Sequence, residues 1–213
     1  MKLFSTEGKL YTFVTRLWDI IKVSLLWLLC SLPIVTIGAS TVALNAITLQ
    51  MVDNKEGYVA KDFFRFFKEN LKKGIPMGLL CILLGYAIYL DFQLLNVIES
   101  GYYIVFSVGI ISIFIWLMTF VYAFSLLARY ENGFWATLKN SYEIAIHHFF
   151  RTLLVILVVG IELVVIFWNY TTMLVGLLVG AGLISYTVNC VAIRIFREIE
   201  KKNANEGIEP DKR

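Results

Sequence analysis

The stretch YYIVFSVGIISIFIWLMTFVYAFSLLA, residues 102–128, decides the fold, because it contains no Asp, Glu, Lys or Arg. About 18 consecutive apolar residues already read as a membrane-spanning helix, and about 20 cross a hydrocarbon core of roughly 30 Å. Three further stretches, 23–52, 74–90 and 163–193, are equally free of charge. Across all 213 residues the chain is 59% hydrophobic, 15% aromatic and 16% charged, whereas a soluble domain carries about 25% charge. This excludes water-soluble packing and an ordinary secreted protein with one signal peptide. The run from Val23 is too long for a cleaved apolar region, is interrupted at Leu32-Pro33 and has no small-residue cleavage site, so the N-terminus is expected to be retained.

Working outward, each membrane region is preceded by a segment with two faces at helical spacing. In 58–73 (YVAKDFFRFFKENLKK), Val59, Phe63, Phe64, Phe66, Phe67 and Leu71 share one arc. Lys61, Asp62, Arg65, Lys68, Glu69, Lys72 and Lys73 take the other. Residues 134–149 set Phe134, Trp135, Leu138, Tyr142, Ala145 and Phe149 against Lys139, Glu143 and His147. Residues 9–22 set Leu10, Val14, Leu17, Trp18 and Ile21 against Thr12, Thr15, Arg16 and Asp19. Such faces lie in the headgroup plane or dock onto the end of a bundle. The expected fold is an all-α polytopic membrane protein of five to six transmembrane segments with three amphipathic interfacial helices, in a repeated amphipathic-helix-plus-hairpin unit. Residues 1–200 form one helical membrane domain, with spans at 74–95, 102–129, 151–168 and 171–197. Residues 201–213 form a polar, disordered tail. Residues 23–52 make either one kinked, tilted helix or a short hairpin about Leu32–Ser40, where Pro33 removes a donor.

Charge placement bears on that choice. Connections 53–73 and 129–151 carry six and three Lys or Arg, and the tail from Arg194 carries six, while 96–101 and 169–170 carry none. The positive-inside rule puts the first three, and hence the C-terminus, in the cytoplasm of a multi-pass cell-membrane protein. Lys2, Lys9, Arg16 and Lys22 favour the same side for the N-terminus, which requires an even number of crossings and so the hairpin. A net charge of +3 is too small to suggest a nucleic-acid partner. Cys30, Cys81 and Cys190 lie far apart within apolar runs and read as small hydrophobes.

The stretch WLLCSLPIVTIGAST at 27–41, followed by EGYVAKDFFRFFKEN at 56–70, resembles the YesL family of bacterial membrane proteins, a family of unknown function. LLARYENGFWATLKNSYEIAIHHFFRTLL at 126–154 fits the same pattern, so the resemblance runs through nearly the whole chain. It implies a multi-pass protein of the kind often encoded beside carbohydrate-uptake and polysaccharide-degradation systems in Gram-positive bacteria. It supplies no catalytic residues to carry over.

Few residues break the apolar pattern. Glu162 lies eleven residues after Arg151, about 16 Å along a helix, where a carboxyl group costs a few kcal/mol unless protonated or partnered. By depth, Ser185 and Tyr186, or Tyr86 on an earlier span, are its candidate partners. A proton or cation site is one reading of Glu162, and a helix-bonding acid the other. Asp91 falls near the outer surface, where a solvated carboxylate is cheap. The segment with Ser31, Pro33, Thr36, Gly38, Ser40 and Thr41 is either a ligand-lined broken helix or a kink whose hydroxyls satisfy its own carbonyls. Adjacent His147 and His148 point about 100° apart and do not suit one metal, so no metal and no cofactor is expected. Gly74-xxx-Gly78 and Gly176-xxx-Gly180 allow close helix approach, within the chain rather than between copies. Lys61, Arg65, Phe66, Lys68, Lys72 and Lys73 offer a surface for anionic lipid or a protein partner.

No nucleophile–base pair or phosphate-cradling loop is visible. The expectation is therefore a non-enzymatic accessory or regulatory component of carbohydrate uptake, in contact with the bilayer and with transporter or sensor subunits. A small-solute or ion-coupled transporter using Glu162 is the alternative, and a membrane enzyme comes third.

Overall fold

A computed structural model describes residues 9–55, 57–95 and 102–205. Eight helices follow in order: α1 (Lys9–Ser31), α2 (Ile37–Val52), α3 (Val59–Leu94), α4 (Tyr102–Phe120), α5 (Ala123–Arg129), α6 (Phe134–His147), α7 (Phe149–Phe167) and α8 (Tyr170–Asn205). No strand occurs among the described residues. Ile34–Val52, Val59–Leu94, Tyr102–Arg129, Phe149–Phe167 and Tyr170–Ala204 are long and apolar enough to cross a membrane. The protein is an all-α polytopic membrane protein.

Each break between helices has a local cause. Pro33 is extended, and a single 3-10 turn at Ile34–Thr36 follows it. The Thr36 hydroxyl bonds the Cys30 carbonyl at 2.7 Å, replacing an amide the kink removes. α2 ends where Asn54 takes the left-handed φ of 54°, a conformation that asparagine tolerates better than most residues. Tyr122 separates α4 from α5; it is fully buried and its hydroxyl lies 3.3 Å from that of Thr152. His148 turns the corner between α6 and α7. Asn169 caps α8, its Oδ1 accepting the Thr172 amide at 2.9 Å.

The helices are more continuous than the sequence pattern suggests. The amphipathic segments expected at 9–22 and 58–73 do not stop there, and each runs straight into apolar helix as part of α1 or α3. α7 begins at Phe149, two residues before Arg151, and α8 continues as helix through 201–205 instead of turning into a tail. The rest of that tail and the 96–101 connection lie outside the described residues. At 1.5 Å per residue α7 is about 28 Å long, one bilayer core, whereas the 36 residues of α3 and of α8 reach about 54 Å.

α2 is the axis of the bundle: 67% of its apolar window is buried, against 11% for α3 and 11% for α7. α3 lies against one side of α2, while α8 and α5 lie against others. The α2–α3 crossing is made by backbone. A Cβ placed on Gly38 would sit 2.7 Å from the Gly78 Cα and would overlap the Gly74 carbonyl. The glycine pair at 74 and 78 thus serves packing inside the chain. Gly176 and Gly180 likewise receive Ile166 of α7, and Gly182 receives Ile20 and Ser24 of α1.

The two-faced segments do not all orient as their hydropathy implies. The Phe face of 58–73 docks onto the bundle: Phe63 is fully buried with Leu44, Ile47 and Met51, and only Phe64 of the four rings is exposed. In α6 the buried residues are Thr137, Ser141 and Ala145, while Trp135 is 76% exposed. Ala145 therefore shares the inward face with two hydroxyls and with the partly buried Phe134 and Leu138, while Trp135, Tyr142 and Phe149 turn outward. Small side chains let α6 approach α4, and Ser141 donates to the Thr119 carbonyl at 2.6 Å. α1 buries Ile20, Val23 and Ser24 and turns Val14, Leu17, Trp18, Leu25 and Leu29 outward. In a bilayer these outward side chains meet lipid and need no protein partner.

Candidate functional site

Two polar layers stand out against the apolar bundle. The deeper one joins α2, α5 and α8 through Asn45, Thr48, Ser125, Ser185 and Asn189, all buried. Ser125 donates to the Asn189 Oδ1 at 2.6 Å. The Asn189 amide donates to the Thr48 hydroxyl at 2.6 Å and to the Asn45 Oδ1 at 3.0 Å. The Ser185 hydroxyl reaches both Asn45 at 3.1 Å and Thr48 at 2.8 Å, and the Asn45 amide returns to the Thr41 carbonyl at 2.8 Å. The set is neutral and its members satisfy one another, which in a low-dielectric interior makes it a specific lock between three helices.

The second layer lies farther along the same helices, at what is here called the charged end. Asp53, which caps the end of α2, follows Asn45 by eight residues, and Arg197 follows Asn189 by eight on α8, about 12 Å in each case. Asp53 pairs with Arg197 and lies 3.7 Å from Arg129. Arg129 in turn donates to Glu200 through Nε at 3.1 Å, and the Tyr130 hydroxyl donates to the same carboxylate at 2.7 Å. Burial, reinforced by Glu200, pushes the Tyr130 phenol well above its usual range and keeps it a donor. Arg151 binds Glu198 through both carboxylate oxygens at 2.8 and 2.7 Å, tying α7 to α8. A cleft of about 850 Å³ opens here between α2, α3 and α5, lined by Asp53, Lys55, Arg65, Glu69 and Arg129.

The residues singled out from sequence do not converge on one place. Glu162 lies between α7 and α8, where Thr187 donates to its Oε1 at 2.6 Å and its Oε2 is buried without a partner. Its partner is thus none of the three expected. Ser185 belongs to the neutral lock, the Tyr186 hydroxyl faces Arg16 at 3.4 Å, and Tyr86 is 58% exposed beside Tyr89. At the break, the hydroxyls of Thr36, Ser40 and Thr41 bond carbonyls of Cys30, Thr36 and Ile37, Gly38 is spent on the α3 crossing, and the Ser31 Oγ is buried without a partner. On α3, Lys61, Arg65, Lys68 and Lys72 are exposed. Phe66 is partly buried against both apolar clusters beneath the Arg65 guanidinium, and Lys73 is drawn in to the Asn132 carbonyl at 3.2 Å. His147 and His148 stack edge to face, and among the described residues no three His, Cys, Asp or Glu side chains gather as a metal site.

Sequence reading passed over Asn45 and Asn189. Their signal was available: asparagine is costly in a charge-free run, and each has hydroxyl residues three or four positions away, Thr41 and Thr48 for one and Ser185 for the other.

The model of a family described as a protein of unknown function, DUF624, matches residues 20–92. That region covers the inner part of α1, the Pro33 break, α2 and nearly all of α3, and so contains the Gly38–Gly74–Gly78 crossing. No curated protein and no solved structure matches the chain.

Proposed function

We propose that the chain is a YesL-type protein of the bacterial cell membrane, a non-enzymatic accessory or regulatory component of carbohydrate uptake whose charged end and C-terminus face the cytoplasm. The observation that carries this reading is the extension of α3 beyond one bilayer thickness, presenting Lys61, Arg65, Lys68 and Lys72 on a helix anchored from behind by Phe63. Such a fixed basic face suits a transporter subunit with an acidic surface. The excess of Lys and Arg in 53–73 and from Arg194 onward supports the cytoplasmic side. The family match over α1 to α3 and the motifs at 27–41 and 56–70 support the YesL assignment.

The test is a tagged pull-down of the full chain from native membranes in mild detergent, read by mass spectrometry. Stoichiometric recovery of a carbohydrate-transporter or sensor subunit is expected, and it should vanish when Lys61, Arg65, Lys68 and Lys72 are all changed to Glu. Recovery of the chain alone overturns the reading.

One observation favours a second reading, a small-solute transporter: the buried, unpartnered Oε2 of Glu162. Uptake by purified protein in liposomes, abolished by Glu162→Gln, would establish it.

A further inference from the structure

α6 and α8 face each other at the charged end without packing together, leaving a groove of about 730 Å³, within the roughly 300–1,000 Å³ of small-molecule sites. Each wall is one helical stripe. Asn140, Glu143, Ile144 and His147 recur at i, i+3, i+4 and i+7 on α6. Phe196, Ile199, Glu200 and Asn203 recur at the same spacing on α8. Both stripes offer one amide, one carboxylate, one isoleucine and one aromatic ring, and Leu126 and Tyr130 close the floor.

Electrostatics narrows the ligand. No Lys or Arg lines the groove, so an anion finds no counter-charge. Glu200 is already held by Arg129 and Tyr130, which leaves a cation only Glu143, an exposed carboxylate 3.7 Å from an exposed Lys139, too small a ligand set for a divalent metal. Burial, with Arg151 nearby, lowers the pKa of His148 and keeps that ring neutral near pH 7. What stays open is amide and imidazole hydrogen-bonding capacity beside apolar surface from Ile144, Ile199 and Tyr142.

We propose that this groove binds an uncharged polyhydroxylated ring, as a free mono- or disaccharide or as the headgroup of a neutral glycolipid. Asn140, Asn203 and His147 take its hydroxyls, and Tyr142 with Ile199 takes its C–H face. That the ligand is met on the cytoplasmic side rests on the proposed function; the chemistry of the groove does not.

The experiment is thermal denaturation of the full chain in phospholipid nanodiscs free of glycosidic detergent. The soluble probes are glucose, rhamnose and maltose, with glucosamine and glucose 6-phosphate as charged counterparts. A further arm uses discs containing monoglucosyl diacylglycerol. A saturable rise in Tm with a neutral sugar assigns a free saccharide, and a rise only in the glycolipid discs assigns a headgroup. In either case the Asn140→Ala, Asn203→Ala double variant should weaken the response by roughly tenfold in apparent affinity, with its ligand-free Tm close to that of the parent. If that variant is unfolded, His147→Ala alone is read in the same way. Equal stabilisation by the charged probes, or no saturable response in any arm, overturns the proposal. A failed pull-down with intact sugar binding would instead discard the partner and leave the groove's ligand standing.

Discussion

Asn189 shows what a single side chain contributes here. Its amide and carbonyl together join hydroxyls and amides from α2 and α5, so truncation orphans several buried groups at once. Each unsatisfied buried group costs about 1–3 kcal/mol in water-soluble proteins, and inter-helix bonds inside membranes average about 0.6. Asn189→Ala is therefore expected to destabilise by about 1–2 kcal/mol in a denaturant titration in mixed micelles. Ser107→Ala, which loses only an exposed bond to the Tyr103 carbonyl, should stay within about 0.5 kcal/mol. Glu162 marks the limit of reasoning by depth. Its place on the helix could be counted from Arg151, but its partner depended on how α7 and α8 rotate against each other. That rotation is set by Ile166 seating on Gly176 and Gly180, and it presents Thr187.

At the scale of elements, the apolar runs were legible because charge is excluded from lipid, but the breaks at Tyr122 and Asn169 fall inside charge-free runs and Pro76 lies within α3. Hydropathy could not tell a helix wrapped by protein from one wrapped by lipid, since both are equally apolar. It therefore did not reveal α2 as the axis. The inward face of α6 was only partly legible, for a related reason: Phe134, Leu138 and Ala145 do face the core. Thr137 and Ser141 bury well because backbone carbonyls take their hydroxyl protons, while the outward Trp135 and Ile146 are acceptable in an interface. The glycines separate packing from permissiveness. Gly38→Ala should push α2 off α3, costing about 1–3 kcal/mol or more and giving polydisperse protein on size exclusion. Gly160→Ala on α7, where an added Cβ meets nothing within 4 Å, should be neutral or slightly stabilising through helix propensity.

For the molecule as a whole, the undecided count of membrane segments turns on α1. α1 is not among the five helices long and apolar enough to span, yet three of its charges have partners at hand: Arg16 faces Tyr186 and Asn54, and Lys22 pairs with Asp19 at 3.0 Å. The outward stripe from Val14 to Leu29 is apolar except for Lys22, which lies over the Trp18 ring. With Cys30, Cys81 and Cys190 replaced, single cysteines at 18, 25 and 29 are expected to resist a water-soluble maleimide in intact membranes, while one at Lys55 labels readily. Labelling at 25 and 29 as fast as at 55 would place α1 outside the bilayer and leave five segments. α8 has a consequence of its own. It is an unbroken rod of about 54 Å, gripped by α7 along its apolar half and forming one wall of the α6 groove with the other. Local bending is costly in such a rod, so a ligand that wedges Asn203 and Glu200 away from α6 would tilt the whole shaft about the Asn189 lock. The lock would then be the fulcrum of a lever whose far arm lies in the lipid.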